Sequence, residues 1–127
     1  MRILLIGATS KLGRALATAL EQDNHQLRVA DGDLTDAEAM WRAVRGVDAV
    51  VHTGEPPSTT PRDPEAGAAF LLDYYTRGTH VLFKAAVEAG VRRFVYGSTL
   101  DLFRPYPDDV YISEMWRPPP TPDIEPM

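Results

Sequence analysis

A parallel α/β sheet of about four strands, with helices on both faces, is the fold this sequence predicts. Two observations carry that reading: short apolar runs alternate with helix-period segments along the chain, and the first run passes into its helix through a glycine-bounded turn. Joined by right-handed crossovers, the strands take the spatial order 2-1-3-4, which puts a crevice beyond the carboxyl ends of strands one and three, where the winding direction reverses.

The first strand is the continuous apolar run Arg2 to Ile6, followed by GATSKLGRALATAL, in which Leu12, Ala15, Leu16, Ala19 and Leu20 recur at helical spacing as one buried stripe. Asp23-Asn24-His25 stops that helix, and Gln26 to Ala30 is a short second strand. Thr35 then reads as an N-cap, with Glu38 completing a capping box, for a helix burying Met40, Trp41 and Val44 before Gly46. Val47 to His52 gives the third strand. The run TGEPPSTTPRD, Thr53 to Asp63, cannot hold regular structure because proline removes donors and biases its neighbours toward extended backbone. Asp63-Pro64 has the form of an N-cap and first helical residue, opening a long helix to about Ala89 with Phe70, Tyr74, Val81, Leu82, Ala85, Ala86 and Ala89 at helical spacing and Gly90 as its stop. Phe94 to Gly97 is the fourth strand. The pattern breaks down after Leu102, and from Pro118 the chain is proline-rich and expected to be extended or disordered.

The 127 residues make about one domain, and no apolar run approaches a bilayer span, so a membrane protein is excluded. Thirteen basic against eighteen acidic residues leave a net charge of −5 without a basic stripe, which argues against a nucleic-acid partner. The absence of cysteine removes disulfides, thiolate metal sites and cysteine nucleophiles, and with no signal-peptide pattern the expected location is cytoplasmic. His25, His52 and His80 are too scattered for a metal ligand set, so no metal is expected.

Strand, glycine-bounded turn and helix together aim free N–H groups and the positive end of a helix dipole at whatever lies over the turn, an arrangement suited to phosphate. Here the motif is Gly7-x-x-Ser10-x-x-Gly13, with Gly7 permitting the turn and Gly13 a close helix approach. That pattern resembles the glycine motif of the short-chain dehydrogenase/reductase superfamily. The segments Gly32-Asp33-Leu34-Thr35-Asp36, Val47 to His52, and Ala89 to Tyr96 resemble its extended branch of NAD-dependent epimerases and dehydratases, so the match spans nearly the whole chain.

The resemblance implies a Rossmann-type domain over residues 1–104, a proline-rich tail over 105–127, and NAD or NADP as cofactor. It places the dinucleotide on Gly7, Thr9, Ser10, Lys11, Leu12 and Gly13, with Asp33 and Leu34 at the adenine and Thr53 and Gly54 across the crevice; Thr99 matches the catalytic Ser/Thr position. Ser10 either crowds a pyrophosphate or donates to it, and Lys11 is either a solvated surface charge or a partner for an extra phosphate. Asp31, about 20 residues from the glycines, is either the residue that binds the adenosine ribose or a solvated turn aspartate.

The chain also departs from the family. About one βα unit is missing between His25 and Gly32, Tyr75 stands where relatives carry an asparagine, and Glu55 stands where a small residue lies near the cofactor. Lys11 and Lys84 are the only lysines and neither follows a tyrosine by four, so the Tyr-x-x-x-Lys pair, in which lysine lowers the tyrosine pKa for proton transfer, is absent. The chain therefore reads as an N-terminal piece. The expected function is NAD(P) binding without turnover alone; the alternative is a non-enzymatic interaction module on a decayed short-chain dehydrogenase fold. The helix over 64–89 carries more apolar residues than one stripe holds, so a homodimer or a partner chain is expected through it.

Overall fold

A computed structural model describes residues 1–107 and 109–117. It divides into two compact units, Met1–Gly97 and a second that begins at Ser98. In the first, β1 (Arg2–Ile6), β2 (Gln26–Ala30), β3 (Ala49–His52) and β4 (Arg93–Tyr96) form one sheet in the order β2-β1-β3-β4, every pair parallel. This is the predicted Rossmann-type topology. β1 is central, with Leu4 opposite both Arg28 and Val50, which explains its uninterrupted apolar character: four of its five residues are buried.

The helices are α1 (Lys11–Gln22), α2 (Ala37–Val44), α3 (Pro64–Asp73) and α4 (Thr79–Glu88). Leu4, Ile6 and Val50 on one sheet face share a core with Leu34, Met40, Val44, Tyr74, Leu82 and Ala85, so α2 and α4 cover that face. The alternating residues Ile3 and Leu5 are buried on the other face, where a right-handed β1-to-β2 crossover carries α1. The expected apolar stripe of α1 is only partly covered: Leu16 and Leu20 are half-buried, while Leu12, Ala15 and Ala19 are exposed. The reason is that α1 packs chiefly on β2 and β1.

Residues 31–36 carry the chain from β2 straight to α2, the shortened βα unit expected from the sequence. Asp36, not Thr35, caps α2, its carboxylate accepting from Ala39 N at 3.0 Å. Thr35 instead donates its hydroxyl (2.7 Å) and backbone N–H (2.8 Å) to Asp33 Oδ1, an Asx turn that competes with the cap read from sequence. Trp41, expected in the core, is exposed and lines a hollow between α2 and α4 with His80 and Lys84. Arg28 fastens the end of α2 to β2, its Nη1 donating to Ala43 O and Arg45 O, each at 2.8 Å.

The predicted long helix does begin with Asp63 as cap and Pro64 in its first turn, but a wide π turn, Tyr74–Gly78, separates α3 from α4. Its cause is legible in the burial. Phe70, Tyr74, Gly78, Leu82 and Ala86 face the core at intervals of four, which in a straight helix drifts about 40° per step; one extra residue in the turn absorbs most of the drift.

In the second unit a short 3₁₀ turn, Leu100–Phe103, follows β4, and Tyr106 packs edge-on against Trp116 with ring centroids 5.0 Å apart. The extended segment expected from Pro118 lies outside the described residues.

Candidate functional site

The carboxyl ends of β1 and β3 meet in a compact junction. Gly7 follows β1 with φ +83°, a left-handed conformation that glycine adopts without cost, and a Cβ there would lie 2.1 Å from Thr53 Oγ1. Gly13 lets α1 lie directly on the turn: a Cβ would fall 2.0 Å from Gly7 O. Thr53 is buried and its N–H donates to Ile6 O at 3.1 Å. Gly97, which the sequence reading used only as a strand end, completes the junction, since a Cβ there would meet Thr53 O at 2.0 Å.

Ser10 is the N-cap of α1. Its hydroxyl accepts from Gly13 N and donates to Gly7 O, both at 2.9 Å, so its proton is spent inside the turn. The amides of Lys11 and Leu12, in the first helical turn, have no acceptor within the helix and face outward from its N-terminus. Lys11 is exposed, and the first turn holds no carboxylate to cancel the positive end of the dipole. Thr9 is exposed, with its carbonyl accepting from Arg14 Nη1. A tightly packed glycine turn beneath a helix N-terminus with unspent amides and a positive end fits a pyrophosphate.

The remaining sequence-predicted residues divide by burial. Asp31 is exposed directly after β2, and its Oδ2 accepts from Ser58 Oγ at 3.1 Å. Asp33 is exposed with Oδ1 engaged by Thr35, whereas Leu34 is 1% exposed and belongs to the core. Gly54 turns the chain after β3 with φ +78°. Its N–H donates to His52 Nδ1 at 2.9 Å, and its carbonyl accepts from the Tyr75 phenol at 3.0 Å. Glu55, at the position where the family carries a small residue near the cofactor, has an exposed side chain, and its N–H donates to Thr53 Oγ1 at 3.3 Å. Thr99 lies in the second unit.

His52 and Ser58 were not identified from sequence as groups organising this junction. His52 is fully buried between the rings of Tyr74 and Tyr96, with centroids 5.9 and 4.8 Å away. Because Nδ1 accepts from Gly54, the proton of the neutral ring sits on Nε2, which has no partner among the described residues. Burial pushes its pKa down from 6.5 to about 4. Burial likewise raises the phenols of Tyr74 and Tyr75, so neither is poised as a base. Among the described residues no group of three His, Asp or Glu is placed to hold a metal ion.

The sequence model of a family described as NAD(P)H-binding matches residues 15–119. A uronate dehydrogenase of Pseudomonas syringae pv. tomato is 31% identical over 114 residues, 77% of this chain and 39% of the relative. A 3 beta-hydroxysteroid dehydrogenase/Delta 5-->4-isomerase of Mycobacterium tuberculosis is 31% identical over 121 residues, 77% of this chain and 31% of the relative. Among solved structures, a short-chain dehydrogenase/reductase superfamily protein from Agrobacterium tumefaciens with bound NAD superposes with a TM-score of 0.73 at 30% identity, over 95% of this chain and 40% of that one. The chain thus spans under two fifths of the length of these two curated relatives. By fold, crevice and matched family, the chain belongs to the NAD(P)H-binding family and is an NAD(P)-binding domain of the short-chain dehydrogenase/epimerase superfamily.

Proposed function

We propose that this chain binds NAD or NADP along the crevice and does not turn it over alone. The pyrophosphate lies over the Gly7–Gly13 cradle against the Lys11 and Leu12 amides, the adenosine ribose is held by Asp31, and Thr53 and Gly54 form the opposite wall. The observation that carries this reading is the N-terminus of α1 over the turn after β1, with the Lys11 and Leu12 amides unspent and no carboxylate in its first turn. When bound, the dinucleotide supplies hydride transfer; the chain's residues orient it. Asp33 and Leu34 act from opposite sides of one segment, Leu34 as the core anchor that fixes where Asp31 and Asp33 emerge. Thr99 is the residue at the family's Ser/Thr position, but the sequence holds no Tyr-x-x-x-Lys partner for it.

Titration with NADH and NADPH by calorimetry tests the reading. Saturable binding to the wild type is expected, with marked weakening in Lys11→Glu, which puts a carboxylate at an exposed position in the first turn of α1; no heat at millimolar cofactor, or undiminished binding in Lys11→Glu, would refute the site. Failure of binding favours the second reading, an interaction module on the same fold. One observation speaks for an interface in either case: Leu72, Phe83 and Val87 on α3 and α4 are 65%, 42% and 71% exposed, so this helix face is the proposed contact with a second copy or another chain. No described helix is long and apolar enough to cross a membrane, and a cysteine-free chain suits the cytoplasm proposed for it.

A further inference from the structure

We propose that the Ser58–Asp31 hydrogen bond is a clasp that holds the 53–63 loop across the crevice and is exchanged for the cofactor when a dinucleotide binds, an inference that rests on the cofactor reading above. The strand order dictates the crossing. The loop leaves β3, Asp31 follows β2, and β1 lies between them, so a chain segment joining Thr53 to Asp31 must pass the carboxyl end of β1, where the Gly7 turn sits. Ends two strands apart are separated by about 10 Å, and the residues from Thr53 to Ser58 can span roughly twice that, so the crossing is slack.

The loop is anchored along its near side, and at its tip Ser58 makes the clasp. Tyr75 holds the Gly54 carbonyl, Thr53 Oγ1 takes the Glu55 N–H, Pro57 is buried, and Thr60 folds back on the Pro57 carbonyl through its N–H at 3.1 Å and its hydroxyl at 2.7 Å. Ser58 is exposed and reaches Asp31 from the turn that Thr60 closes on Pro57. A carboxylate only accepts. Ser58 donates one hydroxyl to Oδ2, whereas a ribose diol donates to both carboxylate oxygens, so the ligand replaces the clasp with a bidentate contact. Removing the Ser58 hydroxyl leaves Asp31 available without that competition.

The test is calorimetric titration of wild type, Ser58→Ala, Asp31→Ala and the double variant with NADH, together with amide hydrogen exchange across residues 53–63. Ser58→Ala is expected to bind about two- to tenfold more tightly, the span one net hydrogen bond is worth. In the Asp31→Ala background the same change is expected to do nothing. Loop amides are expected to exchange faster in Ser58→Ala than in wild type without NADH, and equally once both are saturated. Wild-type binding with equal or weaker affinity in Ser58→Ala overturns the clasp and leaves the cofactor reading standing; no binding to either overturns both.

Discussion

His52 shows how much one ring organises at the end of β3. Its Nδ1 sets the Gly54 turn, and its burial against Tyr74 and Tyr96 keeps it neutral, with a pKa near 4 in place of 6.5. The unfolded chain takes up a proton on this residue below pH 6.5 that the folded chain refuses until about pH 4. The stability that depends on neutral His52 is therefore complete above pH 6.5 and falls with a slope of up to about 1.4 kcal/mol per pH unit as the pH drops toward 4. Urea unfolding between pH 4 and 7 measures this. In His52→Phe the contribution should vanish, with a lower overall stability because Gly54 N–H loses its acceptor. An unchanged slope in that variant would assign the pH dependence to other groups.

At the scale of elements, β1 was legible because burial on both faces demands a continuous apolar run, and β1 and the largely exposed β2 both have the bounds read from sequence. The glycine turn was legible because Gly7 and Gly13 carry geometric duties that other residues cannot meet. Two features were not. The Asp36 cap was hidden by a neighbouring Thr35 with the same credentials, decided in the structure by the Asp33 turn. The π turn was hidden because a four-residue burial interval resembles an ordinary helical one over a single turn and diverges only over several. Ser58 left no signal at all, since its partner is set by chain crossing and not by spacing. The wide turn carries its own prediction. Deleting Thr76 restores the regular helical period and rotates α4 by about 100° against α3, splitting Tyr74 from Leu82 and Ala86. A marked fall in Tm by circular dichroism is expected; a wild-type Tm would show that the extra residue is dispensable.

For the whole molecule, the distribution of exposed apolar surface sets the expectation. Leu72, Phe83 and Val87 stand on one side of the α3–α4 rod, with Phe83 stacked on Phe94 at 3.9 Å and still partly open. Full burial of such a side chain is worth roughly 1.5–3 kcal/mol, and these, already partly covered, each contribute less than that to an interface. Sedimentation at micromolar concentration should therefore show self-association, and Val87→Glu should shift it toward monomer without unfolding; a strictly monomeric wild type would refute the interface. The charge of −5 is modest enough not to oppose such a contact.

The contact of Gly13 with Gly7 has one more consequence, for heredity. The same backbone touch that opens the cradle also seats α1 on the sheet, so selection for folding alone retains both glycines in any descendant, whether or not a nucleotide is ever bound. The glycine turn is thus a poor record of use. The exposed residues around it with no packing duty, Lys11 and Asp31 above all, are where a lineage that has abandoned its cofactor would drift first, and where one that keeps it would hold still.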